Sequence, residues 1–244
     1  MITFIVILGA IVFCMWLFQN RIIGHIGERH TANRICAISK GSVFRDVYVE
    51  GSHGVQQIDI IAVTEKGILV VEKKTYIGLI VGNAYDKQWT VIAGWGKKKD
   101  SMKNPHHQNY GHLMALHEKF PALKDKFIDL VIFGNNAKLG DRIPEGTICD
   151  RDFKKFYKNL PTRMNTQEIE NAAQSIATLN SDRARLKAMH KEKIRGMRKG
   201  LCPKNSGKHA KNAVAVSPKT PKSSANSARQ SRSNSGATSR RSAA

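Results

Sequence analysis

The chain has 244 residues and a formal net charge of +21, which is enough length for one large domain or two small ones. The charge is unevenly spread, because residues 201–244 carry nine Lys or Arg and no acid, and residues 181–200 carry eight basic and two acidic residues. The four cysteines are scattered without the spacing of a zinc site or a disulfide framework, which excludes a disulfide-stabilised scaffold and is typical of a reducing compartment.

The first element is an uninterrupted apolar run from Ile2 to Phe18. It is near the short limit for crossing a bilayer, since about 20 residues are typical. No basic residue precedes the run and no small-x-small cleavage site follows it, which disfavours a cleaved signal peptide. A buried core helix is a third alternative, disfavoured because the run is apolar all round. We predict a single-pass anchor over residues 1–20. The basic residues that follow it place the C-terminal domain in the cytoplasm: Arg21, Arg29, Arg34 and Lys40.

Residues 24–39 are predicted to form a helix, followed by a first strand over residues 44–50. Glu28 falls in the first turn of this helix, where a carboxylate suits the helix dipole. That role alone is sufficient reason for an acid at this position.

The next stretch, residues 58–74, predicts a β-hairpin, because two β-branched apolar runs flank the turn at residues 64–67. If Thr64 faces Gly67, Asp59 lies opposite Glu72, with about 5 Å between opposed Cβ atoms. Lys74 then emerges on the face of Glu72, because strand side chains alternate. That face also carries Ile61, Val63, Ile68 and Val70, and the other carries Ile58, Ile60, Ala62, Leu69 and Val71.

Two alternatives remain for these three charged residues. A bulge at Gly67 would break the register, and Asp59, Glu72 and Lys74 are equally compatible with an ordinary salt bridge at a strand end. A strand pair that is apolar on both faces is a covered one, so two acids and a lysine at its end favour a site.

Further short strands are predicted over residues 77–81, 88–93, 127–133 and 146–149, with a solvated loop over residues 94–103. Three consecutive lysines in this loop could hold backbone phosphates if it lies near a phosphodiester site: Lys97, Lys98 and Lys99. Asn104 and Pro105 predict a helix start, and Pro121 its end. The adjacent His106 and His107 diverge by about 100° on a helix, so no zinc site is expected there.

The C-terminal third is predicted to hold an amphipathic helix that starts at Asn165 or Thr166 and a basic helix from about residue 181 to 198. After Gly200 the composition becomes rich in Ser, Ala, Lys and Arg, and such a segment is expected to be disordered because it can bury little apolar surface.

The acid followed by Glu-x-Lys on adjacent strands resembles the PD-(D/E)xK phosphodiesterase superfamily. Residues 24 to about 133 more narrowly resemble its nuclease-related NERD domain. The resemblance rests on five segments in the expected order: Gly24–Glu28, Gln57–Asp59, Gly67–Lys74, Gly78–Gly82 and Asn104–Gln108. The chain departs from the family where Ile60 replaces a frequent His and Thr75 a frequent Asn.

The resemblance implies a restriction-endonuclease-like α/β fold with a mixed central sheet flanked by helices. It implies that Asp59 and Glu72 bind Mg²⁺ or Mn²⁺ with help from a backbone carbonyl near Lys73, and that Lys74 stabilises charge on phosphate or water. Glu28 and Gln108 become accessory active-site residues. Some NERD proteins carry an appended zinc ribbon, but here Asn205 stands where a second cysteine would follow Cys202, so no zinc is expected.

The sequence therefore predicts a membrane anchor over residues 1–20, a NERD nuclease-like domain over 21–140, a helical extension over 141–199 and a disordered basic tail over 200–244. The expected activity is Mg²⁺-dependent hydrolysis of nucleic-acid phosphodiester bonds, with DNA favoured over RNA as partner. Two alternatives remain, namely a non-catalytic nucleic-acid-binding module and a membrane-associated scaffold that keeps the fold. The oligomeric state stays open.

Overall fold

The computed structural model describes residues 2–94 and 96–198, all within a compact unit that spans Met1–Cys202. Most side chains before residue 24, and that of Arg198, also lie outside the description. The tail predicted over residues 200–244 therefore lies outside the described residues.

The first sheet has five strands in the order β1-β2-β3-β7-β9. Its members are β1 (Ser42–Gly51), β2 (Gly54–Thr64), β3 (Gly67–Lys74), β7 (Phe127–Phe133) and β9 (Thr147–Cys149). Strands β1 to β3 form an antiparallel meander, and β7 and β9 extend the sheet in parallel. The central strands are apolar on both faces because helices or other elements cover each face.

The second sheet has four strands in the order β6-β5-β4-β8. Its members are β4 (Gly78–Val81), β5 (Gln88–Ala93), β6 (Lys98–Lys103) and β8 (Ala137–Leu139). It packs against β7 and β9 through a core that contains Trp89 and Phe133, whose rings stack at 6.4 Å between centroids. The predicted single mixed sheet is thus two mixed sheets flanked by helices.

Five helices complete the described part of the chain. They are α1 (Ile2–Ser39), α2 (Pro105–Lys119), α3 (Phe153–Asn159), α4 (Thr166–Ala177) and α5 (Arg183–Arg198). The predicted starts of α2 and α4 are confirmed, because the side chain of Asn104 accepts from the amide of His106 and that of Asn165 from the amide of Glu168.

The first sheet has a separate core on each face. Helices α2 and α4 cover one face, over Ile61, Val63, Ile68 and Val70. Helices α1 and α3 cover the other, over Ile60, Ala62, Leu69 and Val71. This arrangement places the end of the β2–β3 pair between α1 and α2.

One prediction about a whole element is wrong, and a second is not supported. The loop predicted over residues 94–103 is largely strand β6, which pairs with β5 along its whole length. No helix in the described part of the chain is both long and apolar enough to cross a membrane, so the predicted transmembrane helix is not supported. The apolar run and the predicted helix over residues 24–39 are instead one continuous helix, α1.

Candidate active site

The β2–β3 pairing determines where the predicted acids lie. Thr64 pairs with Gly67 and Ile60 with Val71, which confirms the predicted register. Asp59 and Glu72 come one position beyond the last paired residues. The Asp59 Oδ2 atom accepts a hydrogen bond of 2.9 Å from the backbone amide of Lys73, so Asp59 is held at the edge of β3 next to Glu72.

The alternation of side chains between the two faces of β1 and β2 is interrupted at this point. Arg45 pairs with Ile60 and Val47 with Ile58, so Asp46 lies opposite Asp59, and Asp46 has a left-handed φ of 52°. As a result Ile58 packs in the core of Ile61 and Val63, on the opposite side of the sheet from Ile60. The prediction that Ile58 and Ile60 share a face is therefore wrong, because the irregular backbone interrupts the alternation at the site.

The Glu72 carboxylate is 2% exposed and only partly satisfied. Its Oε1 atom accepts 2.7 Å from the Nζ of Lys74, whereas Oε2 has no hydrogen-bond partner among the described residues. The nearest ring nitrogen, Nδ1 of His112, is 3.7 Å from Oε2. Burial raises the pKa of Glu72 above its ordinary value, although the Lys74 charge opposes this.

The pKa of Asp59 is raised further, first by burial and then by the Glu72 charge. The amide of Lys73 opposes these effects without cancelling them. Glu28 in α1 adds its negative charge and raises the pKa of both Asp59 and Glu72. Neighbouring negative charge thus disfavours ionisation of Asp59 and Glu72, and a cation between these two carboxylates would remove the repulsion.

Lys74 and Gln108 complete the group on the α2 side. The Lys74 Nζ donates to Glu72 and, at 3.0 Å, to Oε1 of Gln108 in the first turn of α2. The structure therefore brings Asp59, Glu72, Lys74 and Gln108 together, with Glu28 acting through its charge. Lys97, Lys98 and Lys99 are exposed in or just before β6, and within the described residues no hydrogen bond or ion pair joins them to the carboxylates.

A buried polar network behind Glu72 was missed by sequence reasoning. The Asn109 amide donates to the Val70 carbonyl at 2.8 Å and to Asp129 Oδ1 at 2.6 Å. Both amide protons are thereby used, so Asn109 Oδ1 accepts the Nδ1–H of His112 at 3.2 Å. Gln108 and His112 are four residues apart on one helix, and this spacing could have indicated that both face β3.

The two adjacent histidines are engaged in structural contacts. His106 joins Asp129 Oδ2 at 2.6 Å through Nδ1 and Thr147 Oγ1 at 2.7 Å through Nε2. His107 Nε2 donates to the Ala84 carbonyl at 3.0 Å. In the part of the chain that the structure describes, no group of three or more His, Cys, Asp and Glu side chains could hold a metal ion.

Lys73 lies on the opposite face of the sheet from Lys74. Its Nζ makes a short contact with Asp150 Oδ2, and Asp150 Oδ1 accepts 2.7 Å from Thr31 Oγ1. Burial lowers the pKa of Lys73, while the Asp150 charge opposes this. The pair ties α1 to β3 and so supports the position of the helix that carries Glu28. Lys73 and Asp150 are 77 residues apart, so no local sequence pattern could have indicated this ion pair.

The donor set fits a hard divalent cation. Glu72 Oε2 is a buried carboxylate oxygen without a partner among the described residues, and Asp59 adds a second carboxylate beside it. Magnesium is commonly held by one or two carboxylates, with water and substrate phosphates at its other positions. The imidazole of His112 lies beside Glu72, with Nδ1 at 3.7 Å from Oε2, but this nitrogen donates to Asn109 Oδ1, so the two carboxylates are the donors that the site offers, and oxygen donors suit a hard cation.

Comparison with known proteins places this site in a family context. The chain is 38% identical over 96 residues to an uncharacterised protein of Bacillus anthracis, an alignment that covers 38% of this chain and 44% of that relative. The chain thus spans less than half the length of the relative that it matches. No solved structure matches it. A family model for the nuclease-related domain matches residues 23–134, a range that holds Glu28, Asp59, Glu72, Lys74 and Gln108. The chain therefore contains a NERD domain at residues 23–134, and the acid and Glu-x-Lys on adjacent strands fit its placement among the PD-(D/E)xK nucleases.

Proposed function

We propose that the protein hydrolyses nucleic-acid phosphodiester bonds with a divalent cation, Mg²⁺ or Mn²⁺, held by Asp59 and Glu72. The observation that carries the proposal is a pair of adjacent buried carboxylates with raised pKa values, beside a lysine that contacts one of them. Titratable groups with such perturbed pKa values cluster at functional sites. DNA is the favoured substrate over RNA.

The residues of the site have separable roles. When bound, the cation polarises a phosphate oxygen and lowers the pKa of a water molecule. The Lys74 ammonium is held by Glu72 and Gln108, so it is oriented before substrate arrives and stabilises negative charge that develops on phosphate or water. Gln108 accepts from Lys74 through Oε1, which leaves its amide protons to orient phosphate or water. Glu28 is an accessory acid.

Cleavage by the full chain tests the proposal. With Mg²⁺ or Mn²⁺ the protein is expected to cut DNA, and EDTA should stop the reaction. Asp59→Asn, Glu72→Gln and Lys74→Ala should each lower the rate by at least about 100-fold, the usual effect of removing one preorganised electrostatic group. Lys138→Ala is a matched control, because Lys138 is exposed in β8 and forms no ion pair in the described part of the chain.

A folded wild-type protein that cuts neither DNA nor RNA with any divalent metal would exclude hydrolysis. The net charge of +21 favours the second candidate in that case, a non-catalytic nucleic-acid-binding module. Binding that weakens steeply with salt but never leads to cutting would identify it.

Membrane attachment stays a separate, sequence-based part of the proposal. The apolar run over residues 2–18 supports it, and cytoplasmic orientation follows from the basic residues after the run. Full-length protein should need detergent for release from membranes, and deletion of residues 1–20 should remove that need. Release by carbonate alone would contradict attachment through this segment, whichever activity the NERD domain has.

A further inference from the structure

Two clefts open beside the candidate site. The first, which we call the arginine cleft, has a volume of about 590 Å³ and is lined by residues that include Glu28, Arg29, Arg45 and Arg183. The second, the lysine cleft, has a volume of about 570 Å³ and is lined by Lys87, Gln88, Lys103, Asn104, His107 and Gln108. Both volumes are within the usual range of ligand-binding clefts.

The carboxylates lie between the two clefts. Arg45 and Asp46 of the arginine cleft are on β1, and the register places Asp46 opposite Asp59 of β2. Asp59 is joined to β3 next to Glu72, and Lys74 of the same strand contacts Gln108 of the lysine cleft. The order across the molecule is therefore arginine cleft, Asp59, Glu72, Lys74 and lysine cleft. Each cleft also contains one accessory residue, Glu28 or Gln108.

Each cleft carries positive charge that other side chains do not neutralise. Arg29, Arg45, Lys87 and Lys103 are exposed and form no ion pair in the described part of the chain. Arg183 is different, because its guanidinium donates to Asp46 at 2.6 Å. Two unpaired cations on each side of a group of acids offset the repulsion that a polyanion would meet at the carboxylates. Arg and Lys side chains at such positions hold backbone phosphates without reading sequence.

We propose that one nucleic-acid strand runs from the arginine cleft past the carboxylates into the lysine cleft. Nucleotides are then bound on both sides of the bond to be cut, so the protein cuts within a strand and needs no free end. This inference rests on the proposed hydrolysis, but the path of the strand can be tested by binding alone. DNA and RNA share the phosphodiester backbone that the clefts would bind. DNA and RNA probes are therefore tested in parallel, so that the two substrates can be distinguished.

The binding experiment uses the full chain in EDTA with fluorescent single-stranded DNA and RNA oligonucleotides. The double variants Arg29→Ala/Arg45→Ala and Lys87→Ala/Lys103→Ala should each weaken binding several-fold. Each should also reduce the slope of log affinity against log salt by about 1.4, since a single-strand phosphate contact contributes about 0.7. The matched control is Arg142→Ala/Lys154→Ala, two exposed cations outside both clefts that form no ion pair in the described part of the chain. If either cleft variant binds like this control, the strand path is wrong.

The cleavage experiment uses a covalently closed single-stranded circle and a linear strand of the same sequence. With Mg²⁺ the wild-type protein should cut both, and both cleft variants should raise KM more than they lower kcat. Stepwise shortening of the linear strand with an intact circle would overturn the inference while leaving hydrolysis in place. If neither substrate is cut, the proposed hydrolysis fails, and the binding experiment alone decides whether a strand occupies both clefts.

Discussion

At the scale of single residues, the Asp59–Glu72 pair destabilises the fold unless a cation lies between the two carboxylates. Both pKa values are raised, so ionisation costs free energy of folding that is absent at low pH and grows as pH rises through the folded-state pKa values. Such a cost is typical of functional groups that a ligand is meant to satisfy.

Asp59→Asn should therefore stabilise the metal-free protein at pH 7. Asparagine keeps an acceptor for the Lys73 amide but removes the charge that faces Glu72. In thermal denaturation with EDTA the variant should have the higher Tm, by roughly 2–4 °C for each kcal/mol gained. The difference should shrink as pH falls toward 3.8, the ordinary pKa of aspartate, and vanish below it, where the wild-type carboxyl is protonated in both states. An equal or lower Tm at pH 7 would show that Asp59 is not under electrostatic strain.

Metal binding should also raise the stability of the protein, and the same variant tests this. A ligand at 100 times its Kd stabilises the native state by about 2.7 kcal/mol, so Mg²⁺ or Mn²⁺ should raise the wild-type Tm by several degrees. Asp59→Asn and Glu72→Gln should lose most of this rise. A metal-induced increase of equal size in all three proteins would place the cation elsewhere, whatever the outcome of activity assays.

His112 lies beside Glu72 as a neutral imidazole. Burial, together with the Lys74 charge, lowers its pKa to about 4. A group with a lowered pKa of this kind contributes stability above pH 6.5 that is lost as pH falls toward 4, which amounts to about 3 kcal/mol for the whole change.

His112→Asn and His112→Phe should both flatten stability between pH 6.5 and 4. Urea denaturation at several pH values in this range gives the free energy of unfolding, and its slope against pH is compared with that of the wild type. Phenylalanine cannot donate to Asn109 Oδ1 and should cost more overall stability, but neither side chain titrates, so both should remove the same pH dependence. A wild-type slope in either variant would mean that other groups cause the pH effect.

At the scale of elements, Asp46 links the site to helix α5. Its carboxylate accepts from Arg183 at 2.6 Å and Lys187 at 3.0 Å on α5, and from Gln57 at 2.7 Å on β2. Burial tends to raise the pKa of Asp46, but the hydrogen bonds from Arg183 and Lys187 outweigh it and the pKa is lowered. The residue opposite Asp59 thus owes its conformation partly to a helix outside the NERD match.

Asp46→Asn should loosen α5 and leave the sheet intact. Asparagine tolerates a positive φ, so the change removes charge without adding backbone strain. Two half-exposed ion pairs are worth about 1–2 kcal/mol together. Hydrogen exchange should become faster in residues 183–198 and stay unchanged in β2 and β3. Equal acceleration in the strands would show that the ion pairs stabilise the sheet itself. In the wild type, the ion pairs of Asp46 with Arg183 and Lys187 should weaken as pH falls through the lowered pKa of Asp46.

Elements defined by local chemistry could be predicted from the sequence. The hairpin register follows from a short turn, in which Thr64 Oγ1 donates to the Gly67 carbonyl and Gly67 takes a φ of 130° that suits glycine. The starts of α2 and α4 follow from their asparagine caps. The register and the cap thus locate Asp59, Glu72 and Lys74 at the ends of adjacent strands and Gln108 in the first turn of α2, because few residues separate each from the signal that positions it.

Features that depend on distant partners could not be predicted. In the second sheet β4 pairs with β8, more than 50 residues later in the chain, and strand sequences do not specify such a partner. The irregular backbone at Asp46 also involves distant partners, because its carboxylate accepts from Gln57, Arg183 and Lys187. The polar network of Asn109 and Asp129 likewise joins residues from different elements.

At the scale of the whole molecule, some basic side chains form contacts within the fold, and others lie in the last residues of the chain. Part of the charge on α5 is used within the fold, where Arg183 and Lys187 bind Asp46, and Lys193 donates to the His53 carbonyl at 2.8 Å. The compact unit ends at Cys202, and the nine basic residues beyond it have no acid among them. Sequence-independent affinity for nucleic acid should therefore come largely from the last residues, and positioning of the strand from the clefts.

Removal of residues 203–244 tests this division. The shortened chain should bind long duplex DNA more weakly, with a log–log salt slope lower by up to about 8 if all nine charges contact phosphates at about 0.9 each. Its kcat on a short oligonucleotide should equal that of the full chain, because every proposed active-site residue lies before residue 109.

A chain of full length with glutamine at the nine basic positions should behave like the shortened one if charge, and not length, is responsible. An unchanged salt slope in both variants would mean that the compact unit supplies the affinity itself, and an equally large loss of kcat would mean that these residues take part in the reaction.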